Sequence, residues 1–185
     1  MQKLIAFNFV TMNGFFKGLN GDVSWAHGDE ENDSFAVEQS SSNATLVFGR
    51  ITYDMMASFW PTPFAAQMNA PMAENMNRSK KIVFSYSMDT ADWVNTKVIK
   101  GDLVEEMKKL KQLDGPGMCI LGSGTIINQL AEAGLIDEYQ IMIHPVAIEG
   151  GTPFFNGITQ KLNLRLTSSR IFKSGKVLLV YQPVA

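Results

Sequence analysis

The sequence predicts an α/β fold built on a mixed sheet, parallel through its core, with helices on both faces and an antiparallel C-terminal end. Three observations carry that prediction. Short apolar runs alternate with helical patterns through roughly the first two-thirds of the chain. The segments Glu138 to Ile148, Leu162 to Phe172 and Lys176 to Gln182 then follow as strands with no crossover helix between them. Strands separated by helices usually pair parallel, whereas strands joined by short turns must pair antiparallel.

The elements follow in order. Leu4 to Met12 is β-rich and lacks a helical period, so it reads as a buried strand. Asn13 to Asp29 is a long loop punctuated by Gly14, Gly18, Gly21 and Gly28, and long loops in compact domains are commonly lids or binding loops. Glu30 to Asn43 is a helix with a modest apolar contribution from Phe35, Ala36 and Val37. Thr45 to Phe48 is the second strand, and Arg50 to Phe59 a helix in which Tyr53 and Met56 share a face with Phe59 or Trp60.

From Trp60 to Lys81, prolines 61, 63 and 71 interrupt a helical excursion, in which Met68, Met72 and Met76 recur at a spacing suited to core packing. Ile82 to Ser85 and Thr96 to Ile99 are strands. Asp102 caps the next helix, with Glu105 placed for a capping box and Leu103, Met107, Leu110 and Leu113 as its buried stripe. Asp114-Gly115-Pro116-Gly117 ends it. Met118 to Leu121 is a strand, Thr125 to Ala133 a helix stopped by Gly134, and Lys173 to Lys176 a hairpin turn.

Composition bounds the function. The chain has 185 residues, 45% hydrophobic and 18% charged, the balance of a globular protein. It is expected to form one domain over residues 1–185, large enough to need no disulfide or metal staple. A net charge of −2 gives no basic excess to recommend a nucleic acid or an anionic membrane as partner. Cys119 is the lone cysteine, in an apolar run, and reads as a small buried hydrophobe. His27 and His144 are the sole histidines and, with one cysteine, cannot build a C-x-x-C zinc site, so no metal is expected. The apolar N-terminal run is too short for a signal peptide or a membrane span, which makes a cytoplasmic location the expectation.

Open α/β sheets bind ligands where parallel strands feed helix N-termini. Two such junctions carry suitable residues. In the first, Gly49 permits close backbone approach, Arg50 offers a fork of donors for a phosphate, and Thr52 adds a hydroxyl. In the second, Gly122-Ser123-Gly124-Thr125-Ile126 again places glycine and hydroxyl residues at a helix start. Two phosphate-suited junctions on one sheet point to a pyrophosphate bridging them, hence a dinucleotide. The second does not match G-x-G-x-x-G, because Ile127 occupies the third glycine position, and no P-loop motif occurs.

A series of motifs in order carries a family resemblance. They are Met12-Asn13-Gly14-Phe15, Phe48-Gly49-Arg50-Ile51-Thr52-Tyr53, Met76-Asn77 ahead of Lys81-Ile82-Val83-Phe84-Ser85, and Leu121-Gly122-Ser123-Gly124-Thr125-Ile126-Ile127. Leu135-Ile136-Asp137-Glu138-Tyr139, His144-Pro145-Val146 and Gly150-Gly151-Thr152-Pro153-Phe154-Phe155 complete it. Over nearly its whole length the chain resembles the dihydrofolate-reductase-like superfamily, specifically stand-alone relatives of the C-terminal reductase domain of the riboflavin-biosynthesis deaminase-reductase. The resemblance implies a three-layer fold around an eight-stranded, mostly parallel mixed sheet, and an NADPH-dependent reductase acting on a small pyrimidine- or pterin-like heterocycle or a sugar-derived substrate. It places Arg50, Ser85 and Ser87 at the adenosine 2′-phosphate. Gly49, Thr52 and the turn Gly122, Ser123, Gly124, Thr125 and Ile126 would hold the pyrophosphate, with the Asn13–Asp29 loop as a lid over the nicotinamide. Many such relatives are dimers, so a homodimer is expected.

The chain departs from that family at its first loop, where Asn13 stands in place of the usual acid and can orient a substrate but not donate a proton. The expected catalytic pair is therefore Asn13 with Asp33, a carboxylate on the first helix. Trp25, Tyr53 and Phe59 are expected to wall a flat substrate by stacking, with Glu149 beside the cleft. Hydride transfer asks little of side chains, so the missing acid does not exclude a reductase. It does keep open the alternative of a non-catalytic nucleotide- or pterin-binding protein on the same scaffold.

Overall fold

The computed structural model describes residues 1–40 and 43–184. Ten strands and six α-helices follow in the order β1 (Leu4–Thr11), β2 (Phe15–Gly18), α1 (Glu30–Ser40), β3 (Thr45–Gly49), α2 (Arg50–Phe59), α3 (Pro63–Met68), α4 (Ala70–Arg78), β4 (Lys81–Phe84), β5 (Thr96–Ile99), α5 (Leu103–Gln112), β6 (Met118–Leu121), α6 (Gly124–Glu132), β7 (Glu138–His144), β8 (Gly151–Pro153), β9 (Leu164–Ile171) and β10 (Val177–Pro183). Eight strands form the main sheet in the order β5-β4-β3-β6-β1-β7-β10-β9. The first six pair parallel, while β10 runs antiparallel to both β7 and β9. This is the predicted mixed sheet.

Alternation along each strand sorts side chains to two faces. On β3, Val47 faces one core with Ile127 and Leu130 of α6 and Met107 of α5. Leu46 and Phe48 face the other, with Tyr53 of α2 and Met76 of α4. Further along that second face, Phe35 of α1 packs on Met142, Phe172 and Leu178. The helices thus form two layers around the sheet. Helix α4 closes on a buried lysine that opens β4: Lys81 Nζ donates to the carbonyls of Met76, Asn77 and Ser79. Among the described residues no helix is long and apolar enough to cross a membrane.

Several expectations change. Asn13–Asp29 is not structureless: β2 lies within it and pairs antiparallel with β8, a strand that has no sequence signature. The strand expected over Glu138 to Ile148 stops at His144, because the chain turns there to reach β8. Leu113 lies beyond the end of α5 and is exposed, so the stripe of that helix ends at Leu110. Met68 is exposed as well, leaving Met72 and Met76 to fill the core. The helix expected over Glu30 to Asn43 runs to Ser40, and residues 41 and 42 lie outside the described residues.

Candidate active site

The two glycine-and-hydroxyl junctions lie side by side, because β3 and β6 are neighbours in the sheet. A hydrogen bond joins them: Gly49 N–H donates to Ser123 Oγ at 2.9 Å, and Ser123 Oγ–H donates to Leu121 O at 3.2 Å. Thr52 Oγ1 lies 3.5 Å from Gly122 O. Ser123 is therefore buried and turned away from its own helix, where it makes no capping bond. Gly49, the N-cap of α2, offers no capping side chain either.

The other helix starts are covered. Thr62 caps α3, Asn69 caps α4 and Asp102 caps α5, while α1 carries Glu30, Glu31 and Asp33 in its first turn. Among the described α-helices, α2 and α6 alone combine an open N-terminus with no acidic residue in the first turn. Unsatisfied N–H groups and the positive end of the helix dipole make such a terminus a site for an anion. Arg50, the first residue of α2, adds a half-exposed guanidinium whose described partner is Asp54 at 3.0 Å. An exposed pair of this kind is worth about 0–1 kcal/mol, so a phosphate can displace it. Just beyond the next strand, β4, Ser85 Oγ accepts the N–H groups of Ser87 and Met88 at 3.3 Å, holding both serines in a turn at the same edge of the sheet.

The glycines are explained by backbone shape and internal packing. Gly122 has φ +62, a left-handed conformation. A Cβ on Gly124 would sit 2.6 Å from the Phe16 ring, and one on Gly49 would sit 3.3 Å from Ile126. Phe16 therefore takes the space above Gly124 that the sequence reading reserved for a phosphate.

Next to this edge the two faces of the sheet are covered unequally at its centre. On the side facing α5 and α6, β1 and β6 bury Leu4, Ala6, Val10, Met118 and Ile120 completely or nearly so. On the other side, Phe7, Phe9 and Leu121 are only partly buried although they lie on central strands. On that side Phe35 of α1 packs over β7 and β10 and Tyr53 of α2 over β3 and β4, and the strip of β1 and β6 between the two helices, floored by these side chains, is here called the groove. Phe7 and Phe9 stack edge-on at 5.5 Å. Cys119 also lies on β6, and burial pushes its thiol up to about 12, so it has no nucleophilic role near neutral pH.

At the far end of the groove, beyond Phe9, stand His144 and Trp25. The His144 ring lies 4.9 Å from Phe9 and 5.4 Å from Trp25, which meets it edge-on. Both residues are buried, and Trp25, an expected stacking residue, meets His144 edge-on at this end of the groove. The sequence names His144 as one of two histidines and within His144-Pro145-Val146 but gives it no site role, although a polar residue ending an apolar strand was the available signal.

The remaining expected site residues fall elsewhere. Tyr53 is a core residue: its hydroxyl accepts Trp93 N–H at 3.1 Å and its ring packs on Trp93, so it offers no surface to a ligand. Phe59 packs on Trp60 and Phe64 at the opposite end of α2 from Arg50, roughly 14 Å along the helix. The Asn13 amide clamps two loops. Its Oδ1 accepts from Thr11 Oγ1 (2.9 Å) and Ile148 N–H (3.3 Å), and its Nδ2 donates to Ile148 O (2.8 Å). It borders a cavity of about 420 Å³ that includes Val10, Ile143 and Phe154, on the sheet face opposite the groove. Asp33 is exposed, with its carboxylate against Gly28. Glu149 is exposed in a hollow with Gly18, Leu19 and Asp22.

The Trp25 segment is tied down by charge. Buried Lys176 donates to His27 O at 2.6 Å and to Asp29 Oδ2. That bond, with the Asn32 N–H donated to the other carboxylate oxygen, holds Asp29 at about 2, down from 3.8. Burial, with the Lys176 charge, holds His144 at about 4, down from 6.5. Both groups make the fold acid-labile. Between pH 6.5 and 4 unfolded chains take up a proton on His144 that the folded protein refuses, so stability falls through that window. The Asp29 contribution is present above 3.8 and is lost as pH falls toward 2. His144→Phe is expected to flatten the decline in melting temperature between pH 6.5 and 4; an unchanged slope would assign it to another group.

The whole chain resembles known proteins. The family model of the RibD C-terminal domain matches residues 2–178. YyaP, an uncharacterised protein of Bacillus subtilis (strain 168), is 31% identical over 173 residues, covering 93% of this chain and 90% of its own. Among solved structures, a candidate riboflavin-biosynthesis protein from Shewanella sp. PV-4 superposes with a TM-score of 0.79 at 23% identity, covering 100% of both chains. Dihydrofolate reductase from Enterococcus faecalis, in complex with NADP(H), superposes with a TM-score of 0.64 at 19% identity over 99% of this chain and 97% of that one.

Proposed function

The chain belongs to the RibD C-terminal domain family, and on that premise we propose that it is an NADPH-dependent reductase of a small, flat heterocycle. The observation that carries this reading is the pair of open helix N-termini, α2 and α6, on adjacent strands and joined through Ser123. A pyrophosphate bears a negative charge on each of its two linked phosphates, and no carboxylate in either first turn opposes it. The donor set thus fits a dinucleotide.

On this reading the remaining contacts would follow the sheet order β4-β3-β6-β1-β7. Ser85, Ser87 and Arg50 would take the 2′-phosphate end, with Arg50 supplying a charge-assisted fork. Thr52 and the first N–H groups of α6, at Thr125 and Ile126, would hold the pyrophosphate, with the buried Ser123 hydroxyl joining the two helix starts behind it. Bound NADPH supplies the hydride. Phe7 and Phe9 would support the reacting rings and exclude water from them, and Trp25 would close the end. A homodimer is part of the same proposal and is checked by light scattering.

The second reading, a non-catalytic nucleotide- or pterin-binding protein, is favoured by one observation: the Asn13 amide is engaged and Asp33 is turned outward. Nicotinamide absorbance during incubation with pyrimidine and pterin substrates separates the two, since turnover excludes the binder.

Titration with NADPH and NADH tests the cofactor. NADPH at 100 times its Kd should stabilise the fold by about 2.7 kcal/mol. Arg50→Ala is expected to weaken NADPH about 30-fold, since a hydrogen bond to a charged group is worth about 1.5–3 kcal/mol, and to leave NADH unchanged. Equal weakening of both would remove the 2′-phosphate role.

A further inference from the structure

The floor of the groove carries no charge. In the parallel register Ile5 stands beside Cys119 and Phe7 beside Leu121, and with Phe9 these side chains share the face between α1 and α2. Burial holds the Cys119 thiol at about 12 and His144, at the end of the strip, at about 4, so both are neutral near neutral pH. An anion entering this strip would leave water for an apolar surface that supplies no counter-charge.

The cations around α1 and β1 are committed elsewhere. Lys176 binds Asp29 and the His27 carbonyl, Arg170 pairs with Glu31 and stacks on Phe35 and Phe172, and Lys173 also acts on Glu31. Lys3, just ahead of β1, pairs with Glu138 at 2.7 Å. The start of α1 is closed to anions as well. Asp29 Oδ1 accepts the Asn32 N–H at 2.9 Å, and Glu30, Glu31 and Asp33 fill the first turn. Asp29, held at about 2, stays ionised near neutral pH. Glu30 and Asp33 are exposed and have no ion pair among the described residues. This is the reverse of α2 and α6, whose open starts carry no acid.

We propose that phosphate recognition is confined to the cofactor junction and that the rest of the groove selects an unphosphorylated substrate over its phosphate ester. This rests on the reductase reading for the identity of the groove as a substrate site, and it narrows the heterocycle to one that enters without a phosphate. Charge divides the groove. At β3 and β6, Arg50 and two open helix starts attract the phosphates of the cofactor. Toward β1 the acids of α1 oppose a further phosphate, across an apolar floor that screens little.

The test uses uridine and uridine 5′-monophosphate, two probes that differ by one phosphate, titrated by calorimetry near neutral pH. With NADPH saturating the junction, uridine is expected to bind about 10-fold more tightly than its monophosphate, and the gap should narrow as salt is added. Met55→Lys then supplies the missing cation. Met55 is 45% exposed and lies one turn from Thr52, the residue of α2 that meets Gly122, so the change leaves the core intact. It should tighten the monophosphate about 10-fold and leave uridine unchanged. Melting temperatures report whether the variant is folded, and a gain of binding cannot arise from a loss of structure. A monophosphate bound as tightly as uridine by the unaltered protein with NADPH in place overturns the proposal. Equal tightening of both probes in Met55→Lys does so too, since charge would then not set the preference. If NADPH does not bind, the reductase reading falls, and the same comparison in Arg50→Ala, which lacks the cation of the junction, still decides the proposal.

Discussion

Gly151→Val is expected to lower the melting temperature by roughly 6–12 °C and to detach the ribbon formed by β2 and β8. Gly151 has φ +154, and a Cβ built there would lie 2.1 Å from Lys17 O and 2.8 Å from Gly18 Cα. Side-chain carbons do not approach backbone oxygen so closely, and the obstacle is a strand rather than the end of a flexible side chain. The β2–β8 register at Gly18 and Gly151 must therefore open. Backbone strain and forced displacement together cost about 3 kcal/mol or more, and each kcal/mol shifts the melting point of a chain this long by about 2–4 °C. The ribbon also sets the groove, since β2 leads into the Trp25 loop and the approach to β8 carries the Ile148 clamp made by Asn13. Hydrogen exchange should accelerate in residues 15–18 and 151–153 while the β1–β7 ladder stays protected. An unchanged melting curve would show that this glycine is dispensable.

That ribbon also marks where the sequence stops informing. The alternation of apolar runs and helices foretold the parallel strands, and the turn at Gly175 foretold the hairpin, because each element has its own periodicity or stop signal. β2 and β8 have four and three residues and no alternating pattern. They exist because Gly151 permits a close approach of two distant segments, which is a tertiary fact. The junctions at Gly49 and Gly122 were legible for the opposite reason: an apolar strand, a glycine and a hydroxyl residue follow one another directly. Their explanation was less so, since Phe16 over Gly124 comes from elsewhere in the chain. Tyr53 shows the limit for side chains. Its helical spacing predicts a shared face, but only the rotation of α2 decides whether that face meets the groove or Trp93. The groove was invisible on the same grounds, because the partial exposure of Phe7 and Phe9 depends on which strands α1 and α2 leave uncovered.

Lys81→Met is expected to destabilise the fold by about 3 kcal/mol, although methionine matches the length of the stem and the position is 1% exposed. The ammonium group answers the carbonyls of Met76, Asn77 and Ser79 at 2.8, 3.1 and 2.7 Å, and lies 4.4 Å from the Trp93 ring centroid. These carbonyls end α4, the negative pole of its dipole, where a cation is favoured. Removing the donors leaves buried acceptors without partners, a larger effect than the hydrophobic gain of a thioether. Damage should spread toward the cofactor junction: Trp93 donates to Asn77 Oδ1 and to Tyr53 Oη, and Tyr53 lies on α2 one turn beyond Arg50. The pH dependence supplies the check. Burial lowers Lys81 from 10.5 to about 8. Between those values the unfolded chain holds a proton that the folded protein has released, so the unaltered protein gains stability as pH rises from 8 to 10.5. A methionine cannot titrate, and the stability gap between the two proteins should widen across that window. A gap that narrows would mean that the three carbonyls outweigh burial and hold the lysine charged.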